Sequence, residues 1–130
     1  MEITPENIIF INENEIFTFG SNAGGRHGKG AAKLALQFGA EYGIGEGLCG
    51  QTYALPTKDK YLNTLTLKEI RIHVNRLEEC IKEYPNLTFL ITAVGTGLAG
   101  YSAKDIAPLF KNISNLNNIT LPASFWEVLK

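Results

Sequence analysis

The chain reads FGSNAGGRHGKGAA from Phe19 to Ala32, and this stretch decides how the rest of the sequence is interpreted. The apolar run Ile16 to Phe19 precedes the glycines and predicts a strand. Apolar residues then recur at helical spacing between Ala31 and Phe38. The stretch therefore predicts a strand, a glycine-rich loop, and a helix that begins directly after Gly30.

Glycine is concentrated in two regions of the chain. Ten of the thirteen glycines lie between Gly20 and Gly50, and the others lie between Gly95 and Gly100. Glycine lets main-chain N–H groups approach a phosphate closely, and a helix N-terminus favours negative charge. The alternative is a flexible turn that needs positive φ at several points. The first region also contains the side chains of Arg26, His27 and Lys29. Each of them either pairs with a phosphate or is simply solvated, and the sequence leaves both interpretations open.

Two common nucleotide-binding motifs do not fit these glycines. A Walker A loop needs a glycine at position 23 and Ser or Thr after Lys29, but the chain has Ala23 and Gly30 there. The segment Gly95 to Gly100 matches GxGxxG, but a Rossmann fold also needs an acidic residue about 20 positions later. The chain offers Leu121-Pro122-Ala123 instead. The usual nicotinamide dehydrogenase is therefore excluded, while a diphosphate on the loop is not.

The clearest local signal outside the glycines is a helix start at Thr66. Thr66 and Glu69 form a capping box, with Leu65 and Ile70 as its hydrophobic staple. Ser102 and Asp105 repeat the capping pattern.

The predicted helices are 31–38, 67–83, 103–111 and a terminal turn or helix 124–129. The predicted strands are Ile8 to Ile11, Ile16 to Phe19, Gln51 to Leu55, Leu87 to Val94 and Ile119 to Leu121.

The order of these elements predicts an α/β domain with a mostly parallel sheet and right-handed crossovers. A length of 130 residues fits one domain, 1–130. Ligands bind beyond the carboxyl ends of parallel strands. Because both glycine regions and Thr57-Lys58-Asp59 follow predicted strands, we expect all three to meet at that edge.

Composition limits the classes of function. A hydrophobic fraction of 45% argues against disorder, and a net charge of -1 gives no overall field that would collect nucleic acid. Two cysteines, Cys49 and Cys80, do not form a disulfide framework, and His27 and His73 add no metal-ligand spacing. Residues 1–7 lack the features of a signal peptide, and no apolar run is long enough to span a bilayer. We therefore expect a cytoplasmic protein with no metal and no membrane contact.

Three motifs together resemble a known family. Asn22-x-x-Gly25-x-x-Gly28-Lys29-Gly30-x-Ala32, Pro56-Thr57-Lys58 and Gly95-Thr96-Gly97-Leu98-Ala99-Gly100 are similar to motifs of macrodomains of the ADP-ribosyl-glycohydrolase type. That group includes an antitoxin branch that removes ADP-ribose from DNA. The resemblance covers about two-thirds of the chain. It implies a three-layer α/β/α fold with a mixed, mostly parallel central sheet, and a site for ADP-ribose without a cofactor.

The resemblance also implies residue roles. Asn22 would contact the distal ribose, Gly28 to Gly30 would lie under ribose and phosphate, and Gly95 to Gly100 would donate N–H groups to the diphosphate. Tyr101 would cover the distal ribose, or else pack as a helix staple. The residues implied in ligand binding are Asn22, Gly25, Gly28, Lys29, Gly30, Gly95, Thr96, Gly97, Leu98, Ala99, Gly100 and Tyr101.

Lys58 matches the lysine that is the proposed nucleophile of the branch. An amine attacks the anomeric carbon only when it is unprotonated, and a free lysine titrates near about 10.4. Desolvation or cationic neighbours such as Lys29 favour the free amine, whereas a bound diphosphate opposes it. The alternative is a solvated loop lysine.

One departure from the family bears on catalysis. Some members carry an aspartate in the second loop as acid or base, where this chain has Leu98-Ala99-Gly100. Asp59 is a substitute without motif support. Three functions remain open: cleavage of an ADP-ribosyl bond, binding of ADP-ribose without turnover, and a nucleotide-binding module unrelated to ADP-ribose. The substrate carrying the ADP-ribose, whether DNA, protein or metabolite, is not resolved by the sequence.

Overall fold

A computed structural model describes residues 1–130. The strands are β1 (Glu15–Asn22), β2 (Gly47–Cys49), β3 (Thr52–Lys58), β4 (Thr88–Ile91) and β5 (Ile119–Thr120). The α-helices are α1 (Gly30–Ala35), α2 (Leu67–Glu83), α3 (Ala103–Ile106) and α4 (Ala123–Leu129). Single 3₁₀ turns cover Leu36–Phe38, Ala107–Phe110 and Ile113–Asn115.

The five strands form one sheet in the order β2-β3-β1-β4-β5. Only β2 is antiparallel to its neighbour; the other three pairings are parallel. The protein therefore has the predicted α/β class with a mixed, mostly parallel sheet. The order places β1 at the centre, so the loop that follows β1 is flanked by the ends of β3 and β4.

Each face of the sheet is covered by its own apolar cluster, because side chains alternate along a strand. Phe17 and Phe19 of β1 belong to a cluster shared with α1. Ile16 of β1 belongs to the larger cluster on the opposite face, which includes apolar residues of α2, α3 and α4. Helices on both faces make a three-layer α/β/α arrangement.

Helix α2 begins at the predicted residue because two reciprocal hydrogen bonds of a capping box fix its start. The Thr66 hydroxyl accepts the Glu69 N–H, and the Glu69 carboxylate accepts the Thr66 N–H. Both contacts satisfy N–H groups that a helix start leaves without partners. Ile70 and Val74 then begin the buried stripe.

Several predicted elements differ from the structure. The strand predicted at Ile8 to Ile11 is wrong: Ile8 inserts into the core while Ile9 and Phe10 are exposed, and the N-terminus instead makes one bridge between Ile3 and Leu121. An apolar run forms a strand only where a neighbouring strand is available to pair with it, and residues 8–11 have no such neighbour.

The helix predicted at 103–111 is interrupted, because α3 ends at Ile106 and a 3₁₀ turn follows with Pro108 near its start. Proline lacks the N–H that would continue an α-helix. The strand predicted from Leu87 to Val94 is paired only over β4, and β2 was not predicted.

Candidate functional site

A cleft of about 590 Å³ lies beyond the carboxyl ends of β1, β3 and β4. It separates the first glycine loop, residues 23–29 between β1 and α1, from the second glycine loop, residues 95–100 after β4. The structure thus brings together the three segments that the sequence placed at this edge. The lining residues are Gly20, Ser21, Asn22, Arg26, Gly28, Lys29, Gly30, Ala31, Ala32, Thr57, Lys58, Leu62, Thr92, Ala93, Val94, Gly95, Gly97, Leu98 and Ala99.

Asn22 fixes the shape of the first glycine loop. Its side-chain Nδ2 donates to the carbonyl of Arg26 at 2.8 Å, and its Oδ1 accepts the Arg26 N–H at 2.9 Å. The side chain is buried, and one amide proton and one lone pair remain for a ligand. Asn22 therefore fixes the conformation of the first glycine loop beside the cleft.

The first glycine loop rests on residues 40–46, which we call the support loop. The Gly43 N–H donates to the Gly25 carbonyl at 3.0 Å, and the Ser21 hydroxyl donates to the Gly45 carbonyl. Gly25 has φ +70, and a Cβ there would lie 2.5 Å from the carbonyl carbon of Gly43. Gly25 does not line the cleft. Position 25 must be a glycine because of this close backbone contact.

His27 is also part of this contact and does not line the cleft. The imidazole is fully buried, edge-on to Phe19 and beside Tyr42. Its Nε2 donates to the Ile44 carbonyl at 3.1 Å, while Nδ1 has no partner. Both sequence interpretations, phosphate ligand and solvated side chain, are therefore wrong for His27. The ring attaches the first glycine loop to the support loop.

Three cations line the cleft, and no carboxylate does. They are Arg26, Lys29 and Lys58, and none of them takes part in a salt bridge. Unpaired charges of one sign in a concave site concentrate the field there. The cleft is therefore suited to an anion although the whole chain carries a net charge of -1.

A register shift between β1 and β3 sets the position of Lys58. Ser21 pairs with Pro56 but the next residue, Asn22, pairs with Lys58, which leaves Thr57 as the extra residue. The Lys58 carbonyl accepts the Ala23 N–H at 2.9 Å. Register shifts of this kind, as in a β-bulge, commonly redirect side chains at functional sites. The half-buried Lys58 side chain is thereby placed beside Asn22 at the cleft.

The second glycine loop is shaped by Gly95 and Gly100. Gly95 has φ +78 and a Cβ there would lie 2.8 Å from Ile106 Cδ1; Gly100 has φ +89. Thr96 donates its hydroxyl to the Ala93 carbonyl. Thr96 and Gly100 do not line the cleft, whereas Gly95 and residues 97–99 do.

Tyr101 lies outside the cleft lining. Its hydroxyl donates to the Leu65 carbonyl at 2.8 Å, and its ring packs on the larger core cluster. Of its two sequence interpretations, the structure shows the packing one.

Gly28 and Gly97 differ from the other loop glycines. Neither has a positive φ, and a Cβ at either position would meet no atom within 4 Å. The fold therefore tolerates a side chain at both positions, yet both line the cleft. At both positions the main chain is open to the cleft.

Main-chain donors without acceptors are concentrated at the same place. The N–H groups of Gly28, Lys29 and Gly30 donate to no protein acceptor, and neither do those of residues 97–99. All of these residues line the cleft. Helix α1 has only six residues, so these individual N–H groups, more than a helix dipole, are the donors available.

Asp59 does not line the cleft and organises the turn that follows β3. Its Oδ1 accepts the N–H groups of Tyr61 at 2.8 Å and Asn63 at 2.9 Å. The bond from Asn63, and then that from Tyr61, lowers the pKa of the Asp59 carboxyl. A carboxylate that is ionised and already accepts two hydrogen bonds is unsuited to act as a general acid.

This turn supplies one wall of the cleft. Leu62 has φ +69, is 45% exposed and lines the cleft. A non-glycine residue rarely adopts this conformation. The Thr64 hydroxyl donates to the Ala99 carbonyl at 3.0 Å and so ties the turn to the second glycine loop.

Ser21 and Thr57 are buried small polar residues at strand ends, within segments that the sequence already assigned to this edge. Thr92 and Ala93 follow β4 and line the cleft, but they carried no sequence signal of a site. Only their position after a strand could have indicated them.

A second cleft of about 260 Å³ adjoins the first and shares Gly30, Ala31 and Thr92 with it. Its other walls are mainly apolar, and Glu6 is its single charged residue. They are Pro5, Glu6, Ile8, Phe17 and Leu34.

Cys49 and Cys80 are free thiols. No group of His, Cys, Asp and Glu side chains is arranged to hold a metal ion. No helix is both long and apolar enough to cross a membrane.

No protein-family model and no curated protein matches this sequence. Among solved structures, a protein of unknown function from Bacteroides thetaiotaomicron is similar, with a TM-score of 0.62 at 14% sequence identity. The likeness covers 88% of this chain and 90% of that one. At this identity it concerns the fold alone, which the two proteins share over nearly their whole lengths.

Proposed function

We propose that the protein binds ADP-ribose, or a closely related NAD-derived nucleotide, in the cleft between the two glycine loops. The observation that carries the proposal is the concentration of acceptor-free N–H groups from both loops beside the unpaired Arg26, Lys29 and Lys58. Such donors and cations bind phosphate oxygens. Two loops from two strands suit two linked phosphoryl groups better than one.

The surroundings of the cleft fit the remainder of such a ligand. The adjoining cleft offers Pro5, Ala31 and Leu34 to a planar base, with the carboxylate of Glu6 as an acceptor for its amino group. At the other side, Asn22 and Lys58 lie together and suit the distal ribose. The resemblance of all three cleft segments to macrodomain motifs supports the same assignment.

Calorimetry with ADP-ribose tests this proposal. We expect saturable binding, and we expect Lys29→Ala to weaken it by about 1 kcal/mol, several-fold in Kd, through loss of a charged partner. Lys33→Ala is the matched control, because Lys33 lies on α1 but does not line the cleft. Equal effects of the two substitutions would count against the proposed phosphate site.

The position of Lys58 favours a second function, hydrolysis of an ADP-ribosyl bond. The unprotonated amine would attack the anomeric carbon of the distal ribose. The bond to the departing group breaks, and that group leaves with the electron pair and takes up a proton. The resulting adduct opens to an imine, and water then adds at the same carbon, which releases ADP-ribose and regenerates the amine.

Release of ADP-ribose from modified protein or DNA tests this chemistry. We expect Lys58→Ala to retain ADP-ribose binding and to lose release, and borohydride to trap an adduct on the Lys58 peptide of the parent. The conservative Lys58→Arg should also be inactive, because guanidinium stays protonated. A Lys58→Ala variant that binds and cleaves as well as the parent excludes this lysine as nucleophile.

A further inference from the structure

The support loop is attached to helix α2 through one carboxylate. The Oε2 atom of Glu46 lies 2.7 Å from His73 Nδ1, and its Oε1 accepts from Arg76 at 2.9 Å. His73 and Arg76 are successive residues of one face of α2, three positions apart. All three side chains are partly exposed, Glu46 at 28%, His73 at 21% and Arg76 at 58%. Both carboxylate oxygens are thus engaged by a helix that does not line the cleft.

From Glu46 the contacts continue directly to the cleft. The preceding residues, Gly43 to Gly45, receive or donate the bonds that hold Gly25, His27 and Ser21. A Cβ at Gly45 would lie 2.5 Å from the carbonyl oxygens of Asn22 and Ala23, so the two loops lie in direct backbone contact. A displacement of the support loop therefore displaces the first glycine loop with it.

The support loop is also attached at its two ends, by Ala40, which is buried in the smaller core cluster, and by β2, which begins at Gly47. Between these ends the Tyr42 hydroxyl donates to the His27 carbonyl at 3.3 Å, but apolar packing is sparse. Tyr42 and Ile44 are both exposed beyond 40%. Gly43 has φ +92 and its Cβ position is open, so nothing packs against it on that side. A segment with little apolar packing depends on its polar contacts for its position. Through the contacts of Glu46 with His73 and Arg76, the support loop is connected to helix α2.

We infer that Glu46 is a positioning residue: clamped by His73 and Arg76, it fixes the support loop and so sets the affinity of the first glycine loop for its anionic ligand. The part that concerns affinity rests on the function proposed above. The part that concerns loop position does not, and it is measured on the ligand-free protein.

The experiment compares Glu46→Ala, Glu46→Gln and Glu78→Ala. Glutamine keeps an acceptor for Arg76 and offers an N–H to the His73 ring, so it should restore the clamp. Glu78 pairs with Lys82 within α2 at 2.9 Å and makes no contact with the support loop, so its removal is the matched control. Hydrogen exchange of the Gly43 and Arg26 amides, whose acceptors are Gly25 and Asn22, reports the loop position.

We expect Glu46→Ala to speed exchange of these amides and to weaken ADP-ribose binding, each by about three- to tenfold, with the thermal midpoint nearly unchanged. Glu46→Gln should return both values close to those of the parent, and Glu78→Ala should alter neither. Unchanged exchange in Glu46→Ala, or equally faster exchange in both alanine variants, overturns the inference. If the parent binds no ADP-ribose, the proposed function fails, and exchange alone decides the role of Glu46.

Discussion

Gly28 and Gly97 are the residues whose identity the fold explains least. Their backbone conformations and open surroundings permit alanine, whereas Gly25 and Gly95 face backbone or side-chain atoms closer than 3 Å. Under the proposed function, a glycine at the wall of the cleft that packing does not require would allow the ligand to approach the main chain closely.

Alanine substitution therefore separates ligand-facing from structural glycines. We expect Gly28→Ala and Gly97→Ala to keep or raise stability, by about 0.4–1 kcal/mol, since they restrict the unfolded chain. Each should weaken ADP-ribose binding by more than about tenfold, or 1.4 kcal/mol, because the methyl group obstructs the N–H groups. Thermal melting and calorimetry on the same samples measure both effects.

Gly25→Ala is the control for this comparison. Its Cβ would collide with the support loop at a positive φ, so we expect a loss of more than about 2 kcal/mol of stability. Gly28 and Gly97 variants that bind like the parent would show that the open glycines are not a ligand surface.

Sequence motifs grouped residues that the structure separates. Asn22, Lys29 and Lys58 were assigned to the site through the resemblance to macrodomain motifs, and all three line the cleft. Gly25 belongs to the same motif and His27 lies within it, but both residues contact the support loop. Their partners lie about 17 residues away in the chain, at Gly43 and Ile44, and no local pattern encodes that contact.

At the scale of elements, prediction succeeded where signals were local. Helix α2 has a capping box and a staple within six residues, and its bounds were predicted correctly. Strand β2 is three residues long and exists through its antiparallel pairing with β3, so its own sequence gave little indication. The apolar run at Ile8 to Ile11 had strand composition but no strand to pair with.

The turn from Asp59 to Asn63 yields a pH prediction. Hydrogen bonds lower the pKa of Asp59 in the folded state, so its stabilisation is present above the unfolded pKa, about 3.9, and is lost as the pH falls through the lower folded value. Asp59→Asn keeps the acceptor and removes the charge. We expect the variant to melt below the parent at neutral pH and to converge with it in acid.

Thermal melts at about pH 7 and about pH 2.5 check this result. Glu13→Gln, which alters an exposed carboxylate without hydrogen bonds, is the control and should show no such convergence. A stability difference for Asp59→Asn that is the same at both pH values would contradict the role assigned to the carboxylate.

At the scale of the whole molecule, the fold brings three distant segments to one edge of the sheet. The parallel order around β1 does this, and it was predictable because each segment follows an apolar run. The charge of the cleft was not predictable from a net charge of -1, since it depends on which cations remain unpaired after folding. Only Arg26, Lys29 and Lys58 are gathered there.

Titration of the backbone amide resonances with ADP-ribose tests the central claim most directly, because it reports binding and its location together. The amides of Gly28, Gly30, Gly97 and Ala99 should shift in a saturable manner, and those of α4, on the far side of the sheet from α1, should remain still. The absence of shifts at millimolar ADP-ribose, or shifts confined to residues outside the cleft, would contradict it.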